Sequence, residues 1–99
     1  MAGKYSPRDD IHHPQYSKRF TSFGSQINLL AQTDMPQCAP CQVVVEADAG
    51  EHLDYIDAAG TAVAMAFPAA GNFARRMSPF TIETTTNVNA VTVFWMTEP

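Results

Sequence analysis

Residues 90–96, Ala90-Val91-Thr92-Val93-Phe94-Trp95-Met96 (AVTVFWM), decide how the chain is read. Val91, Val93 and Trp95 fall on one face of an extended segment, Phe94 and Met96 on the other. Apolar side chains on both faces mark a strand that is central in its sheet or covered by a partner. Working outward, the same period of two recurs. Gln42–Ala47 (QVVVEA) is dense in β-branched residues. His52–Ile56 (HLDYI) sets Leu53 and Tyr55 on one face. Thr61–Phe67 (TAVAMAF) sets Val63, Met65 and Phe67 against a row of alanines, which leaves room for close packing by a second sheet or a neighbouring subunit. Asp48-Ala49-Gly50-Glu51, Asp57-Ala58-Ala59-Gly60, Pro68-Ala69-Ala70-Gly71 and Asn87-Val88-Asn89 read as turns between them. Asn72–Met77 and Phe80–Thr86 read as one strand interrupted at Ser78-Pro79, a sign of an edge or a bulge. Ser25–Thr33 (SQINLLAQT) favours a short strand, with a single helical turn as the alternative. The expectation is a mostly β fold: an antiparallel meander closing as a small β-sandwich or barrel.

The chain of 99 residues is the size of one domain. Its first quarter differs from the rest. Residues 1–25 are polar, hold Pro7, Pro14 and Gly24, and show no helical period, yet carry Tyr5, Tyr16, Phe20 and Phe23. Aromatics are scarce in purely disordered tails. The segment is therefore read as an extended N-terminal arm that orders by laying these four rings on a partner, with residues 26–99 as the β domain. A chain lacking residues 1–25 is expected to stay folded and to dock poorly.

Charge follows the same division. The net charge of −4 separates into +2 over residues 1–25 and −6 over residues 26–99. A basic arm on an acidic body suits an acidic neighbour, a second copy included. An acidic body repels phosphate, so no nucleic-acid partner is expected. No apolar run approaches a membrane span, and no secretory leader is visible. The chain reads as made and kept in a cytoplasm; a virion component assembled in a host cytoplasm reads the same way.

Three groups of residues bear on chemistry. Cys38-x-x-Cys41 has the spacing of a zinc half-site or a redox dithiol. His12, His13 and His52 are the remaining candidate ligands; His12 and His13 with the two cysteines would make a four-ligand site, although neighbouring side chains of an extended chain point opposite ways. Pro40 and a β run follow Cys38, so the helix N-terminus that a thioredoxin-like dithiol needs is not indicated. Free thiols, a short-range disulfide and a metal site stay open. Asp48, Glu51, Asp54 and Asp57 cluster about turns without the spacing of an EF-hand and read as solvated turn carboxylates. Arg75 and Arg76, mid-strand, should point to opposite faces, one free to bridge to a neighbouring subunit. With Phe94, Trp95 and Met96 they are the candidates for an oligomer interface. No nucleophile, base and orienting group can be assembled from the spacing, so no catalytic residue and no cofactor are expected.

The order of turns resembles a known pattern. Val43-Val44-Val45, Asp48-Ala49-Gly50, Leu53-Asp54-Tyr55-Ile56-Asp57-Ala58-Ala59-Gly60-Thr61, Phe67-Pro68-Ala69-Ala70-Gly71, Arg75-Arg76 and Thr84-Thr85-Thr86 together are similar to the spike base proteins of phage and gene-transfer-agent heads. In that family a "D-A-x-G-T" hairpin, a "P-A-G" turn, an arginine-bearing strand and a threonine-rich turn lead to a final apolar strand. This chain departs from it at Phe73, Met77 and the Ser78-Pro79 break, where the family carries smaller aliphatics. The resemblance implies a non-enzymatic virion structural protein: a capsid decoration, vertex or spike-base component of a bacteriophage. It would self-associate, as a trimer or pentamer, and dock on the major capsid protein or a neighbouring virion protein. Two other functions fit the residues. One is a small zinc-binding adaptor built on the CxxC. The other is a carbohydrate-type ligand-binding domain using Trp95, Tyr55 and the acidic turns.

Overall fold

The computed structural model describes residues 15–96. These form eight strands and no helix: β1 (Gln15–Phe20), β2 (Ile27–Asn28), β3 (Gln42–Ala47), β4 (Glu51–Ile56), β5 (Ala62–Phe67), β6 (Gly71–Arg75), β7 (Thr81–Ile82) and β8 (Ala90–Met96). They make two antiparallel sheets, ordered β1-β8-β3-β6 and β2-β7-β4-β5. AVTVFWM is central in the first sheet, as its two apolar faces require. Its core-side residues Val91, Val93 and Trp95 are fully buried beside Val43 and Val45 of β3. Leu53, Phe67 and Ile82 of the second sheet join the same cluster, with Leu29 and Val88 from the connections. Burying each such side chain stabilises the fold by about 1.5–3 kcal/mol.

The strand order corrects the expected meander. Among the described residues, only β4 and β5 form a hairpin. The turns at Asp48–Gly50 and Pro68–Ala70 instead carry the chain from one sheet to the other. Turn chemistry specifies a local change of direction, not the ladder that the next strand joins. The two crossings lie side by side, with the Gly50 N–H donating to the Phe67 carbonyl at 2.8 Å. The Ser78-Pro79 break is also a sheet change: β6 belongs to the first sheet and β7 to the second. Pro79 is buried there.

The β4–β5 hairpin turns as its sequence foretells. Asp57 accepts from the N–H groups of Ala59 (3.0 Å) and Thr61 (2.9 Å), and Gly60 has φ +81°. Nothing lies within 4 Å of where a Cβ on Gly60 would stand. Gly60→Ala therefore isolates backbone strain. It is expected to cost about 1–2 kcal/mol, read as a shift in the urea midpoint; an unchanged midpoint would contradict the left-handed turn.

The N-terminal boundary is a second correction. Gln15–Phe20 is not an arm reaching outward. It is β1, paired along β8 from Gln15↔Met96 to Phe20↔Val91. Phe20 and Phe23 pack on this chain's own core, while Tyr16 is 43% exposed. The strand was hidden because its inward parity alternates aromatic with lysine. Lys18 Nζ donates to Gln32 Oε1 (2.9 Å) and Asp34 Oδ1 (3.0 Å), which ties β1 to the loop after β2. Tyr5, His12 and His13 lie outside the described residues.

Hydrogen bonding to Lys18 holds the exposed Asp34 carboxyl below its ordinary value of 3.8. A depressed carboxyl stabilises the fold above its unfolded pKa, and that contribution is lost as pH falls through the lowered folded value. Asp34→Asn is expected to lower the melting temperature slightly at neutral pH, because exposed pairs are weak. The difference should vanish in strong acid. A difference that persists there would assign it to something other than ionisation.

Candidate functional site

The outer face of the first sheet gathers part of the expected interface. Parity along β8 turns Thr92, Phe94 and Met96 away from the core. Phe94 lies between Ser17 of β1 and Gln42 of β3, and Thr92 between Arg19 and Val44, with Ala74 of β6 beyond Val44. Met96 is 45% exposed. At one end Cys41, Gln42, Arg76 and Met96 line a shallow recess of about 290 Å³. At the other, Arg19 Nη1 meets Glu46 Oε2 at 2.8 Å across β8. The face is thus an apolar row (Met96, Phe94, Val44, Ala74) with a cation at one end and an ion pair at the other.

Of the interface candidates, Phe94, Met96 and Arg76 come together here. Arg75 does not. Its guanidinium stands 5.6 Å from the Phe73 ring centroid, and Nη1 donates to the Ala74 carbonyl at 2.9 Å. The two arginines part, as neighbours on an extended chain must. Trp95 is a correction: it is fully buried, so it presents no surface to a partner or a sugar. Its indole N–H donates to the carbonyls of Cys38 (3.1 Å) and Leu29 (3.3 Å), which anchors the loop between β2 and β3 against the core. Val44, at the centre of the face, was not singled out from sequence. Within three consecutive valines, the sequence does not tell which points outward.

The outer face of the second sheet is different. It carries His52, Asp54 and Ile56 of β4 opposite Ala66, Ala64 and Ala62 of β5. Asp54, Tyr55, Ala62, Val63, Ala64, Glu83, Thr84 and Thr85 border an open recess of about 340 Å³. Its two carboxylates are held by neighbours. Asp54 Oδ1 lies 2.9 Å from His52 Nδ1, and Glu83 Oε2 accepts from Gln26 Nε2 (2.7 Å) and Thr81 Oγ1 (3.0 Å). Buried Thr86 accepts the Asp54 N–H (2.9 Å) through Oγ1 and returns a bond to the Asp54 carbonyl (3.0 Å). The other acidic residues also serve the turns: Glu51 Oε1 accepts the Asp48 N–H at 2.8 Å. Tyr55 borders this recess while Trp95 is inside the core, so the two do not share a sugar platform.

Cys38 is exposed and Cys41 half-buried, and both are free thiols. Cys41 continues the β3–β8 ladder, its N–H donating to the Phe94 carbonyl at 2.9 Å. Among the described residues, no three histidine, cysteine or acidic side chains converge as a metal site. The His12 and His13 half of the four-ligand set lies outside those residues. Comparison with known proteins adds no relative: no family model matches the chain, and no curated protein or solved structure is significantly similar to it.

Proposed function

We propose that the chain is a non-enzymatic structural protein of a bacteriophage-type virion, a capsid decoration, vertex or spike-base component. Its two sheets are read as a small β-sandwich, preceded by an arm ahead of β1. The single observation that carries this reading is the outer face of the first sheet, where Phe94, Met96, Val44 and Ala74 stand outward with Arg76 at the rim. A half-apolar sheet face of this kind suits burial against another protein. The sequence resemblance supplies the setting, and its turn motifs fall at the β4–β5 hairpin and at the crossings between the sheets. In this reading the face and the arm dock on the major capsid protein or a neighbouring virion protein. Copies close as a trimer or pentamer about the particle's symmetry axis. Assembly takes place in the host cytoplasm.

An antiserum to the purified chain tests the reading on particles released from the source cells. Co-sedimentation with heads, and regularly spaced labelling of their surface, is the expected result. Recovery of the chain only in the soluble fraction would overturn it. Phe94→Glu, on the outer face, is expected to abolish attachment while leaving the fold intact.

A further inference from the structure

Four strands stand at sheet edges: β1 and β6 bound the first sheet, β2 and β5 the second. Edge strands expose unpaired backbone groups, and proteins guard them with charge, proline, bulges or shortness. β2 is two residues long. β1 carries Lys18 and Arg19, and β6 ends at Arg75. β5, Ala62-Val63-Ala64-Met65-Ala66-Phe67, is six residues long with no charge and no proline.

Its backbone is turned for pairing. Asp57 N–H donates to the Thr61 carbonyl at 3.1 Å, and the Phe67 carbonyl accepts from Gly50, so the odd-numbered residues of β5 face β4. On the far side of β4, the carbonyls of His52, Asp54 and Ile56 accept from Asn87, Glu83 and Phe80, in the same alternation. The N–H and C=O groups of Ala62, Ala64 and Ala66 are therefore directed at the open edge. The side chains of these three alanines are exposed on the outer face. Among the described residues no strand pairs with this edge.

We propose that β5 is the docking edge for a second copy of this chain, antiparallel to its own β5 and related by a two-fold axis at Ala64. The order of residues favours a copy over another partner. About Ala64 the strand has the same character in both directions, Ala62 matching Ala66 and Val63 matching Met65. Antiparallel self-pairing sets alanine opposite alanine on the outer face and valine opposite methionine on the core side. The free groups of Ala62, Ala64 and Ala66 fall in hydrogen-bonded pairs. The same operation on β1 would bring Lys18 or Arg19 near its own equivalent, which is unfavourable. The contact is isologous and closes at two copies. It goes beyond the docking on a capsid proposed above and is separate from a ring contact, which joins two different surfaces.

Two variants of the full chain test this. Ala64→Lys sets like charges opposite each other at the axis, on an exposed side chain that the fold does not use. Ala64→Cys, made with Cys38→Ser and Cys41→Ser, places two thiols across the axis; Ala58→Cys in the hairpin turn is the control. Light scattering is expected to give twice the chain mass for the unaltered protein and the single-chain mass for Ala64→Lys. Under mild oxidation Ala64→Cys should form a covalent dimer faster than Ala58→Cys. An unaltered protein that is monomeric at every concentration overturns the proposal. So does a dimer, trimer or pentamer that Ala64→Lys leaves intact, with cross-linking no faster than the control. A trimer or pentamer of that kind would leave the capsid reading standing. A dimer lost with Ala64→Lys, in a protein absent from particles, would do the reverse.

Discussion

Trp95→Ala is expected to destabilise the protein by about 3–5 kcal/mol, the range for truncating a buried large aromatic. The indole is fully buried on the central strand of the first sheet. Its removal leaves a cavity where β8 meets the loop from Leu29 to Cys38 and strips both carbonyls of their shared donor. A domain of this size has roughly 5–15 kcal/mol in all, so the variant should stand near the edge of folding. Trp95→Phe separates the two causes. It keeps most of the apolar volume and loses the N–H, for an expected cost of about 1–3 kcal/mol. Urea unfolding followed by circular dichroism measures both, since the chain's only tryptophan is the residue removed. A loss below about 1 kcal/mol for Trp95→Ala would contradict its place at the centre of the core.

Removing residues 1–25 should have the second large effect, the opposite of what an outlying arm would give. The reference is a chain lacking residues 1–14, so that the difference isolates β1 and the turn after it. The longer deletion takes away Phe20 and Phe23, the Lys18 bonds to Gln32 and Asp34, and the whole β1 ladder on β8. The two half-buried rings alone account for about 1.5–3 kcal/mol. It also bares one edge of β8, an apolar strand with a half-buried phenylalanine on its outer side, which invites aggregation. Loss of cooperative melting and of soluble yield is the expected outcome. Equal melting of the two deletions would mean that β1 contributes nothing to the body.

The strands were legible where polarity and period agreed. QVVVEA, HLDYI, TAVAMAF and AVTVFWM all became strands because β-branched and aromatic residues alternate between clear turn residues. QYSKRF did not declare itself. Its core-side positions hold tyrosine, lysine and phenylalanine, and the lysine reaches a loop acid instead of water. The partnership of the strands was also out of reach. Asp48-Ala49-Gly50 and Asp57-Ala58-Ala59-Gly60 look alike in composition, yet one crosses between sheets and the other closes a hairpin. What separates them is the distant ladder that each strand completes. For the surface, the alanine row of β5 and the outward Phe94 and Met96 were visible in the period of two. The inward turn of Trp95 follows from that same period, which sets it with Val91 and Val93. The parting of Arg75 and Arg76 was readable too. Which of them would share a face with Met96 depended on how β6 registers with β3.

The order of the first sheet sets a schedule for folding. β8 lies between β1 and β3, and its contacts with β1 join residues 71 to 81 positions apart. Until residues 90–96 have been synthesised, β1 has no ladder and the valines of β3 lack their neighbours. The β4–β5 hairpin can close early, but β1 must wait for residues 90–96 before it has anywhere to go. Distant pairings of this kind fold on the millisecond-to-second scale. Until β8 is in place the uncharged strand TAVAMAF is open to other unfolded chains, so the yield of native protein on refolding should fall as the protein concentration rises.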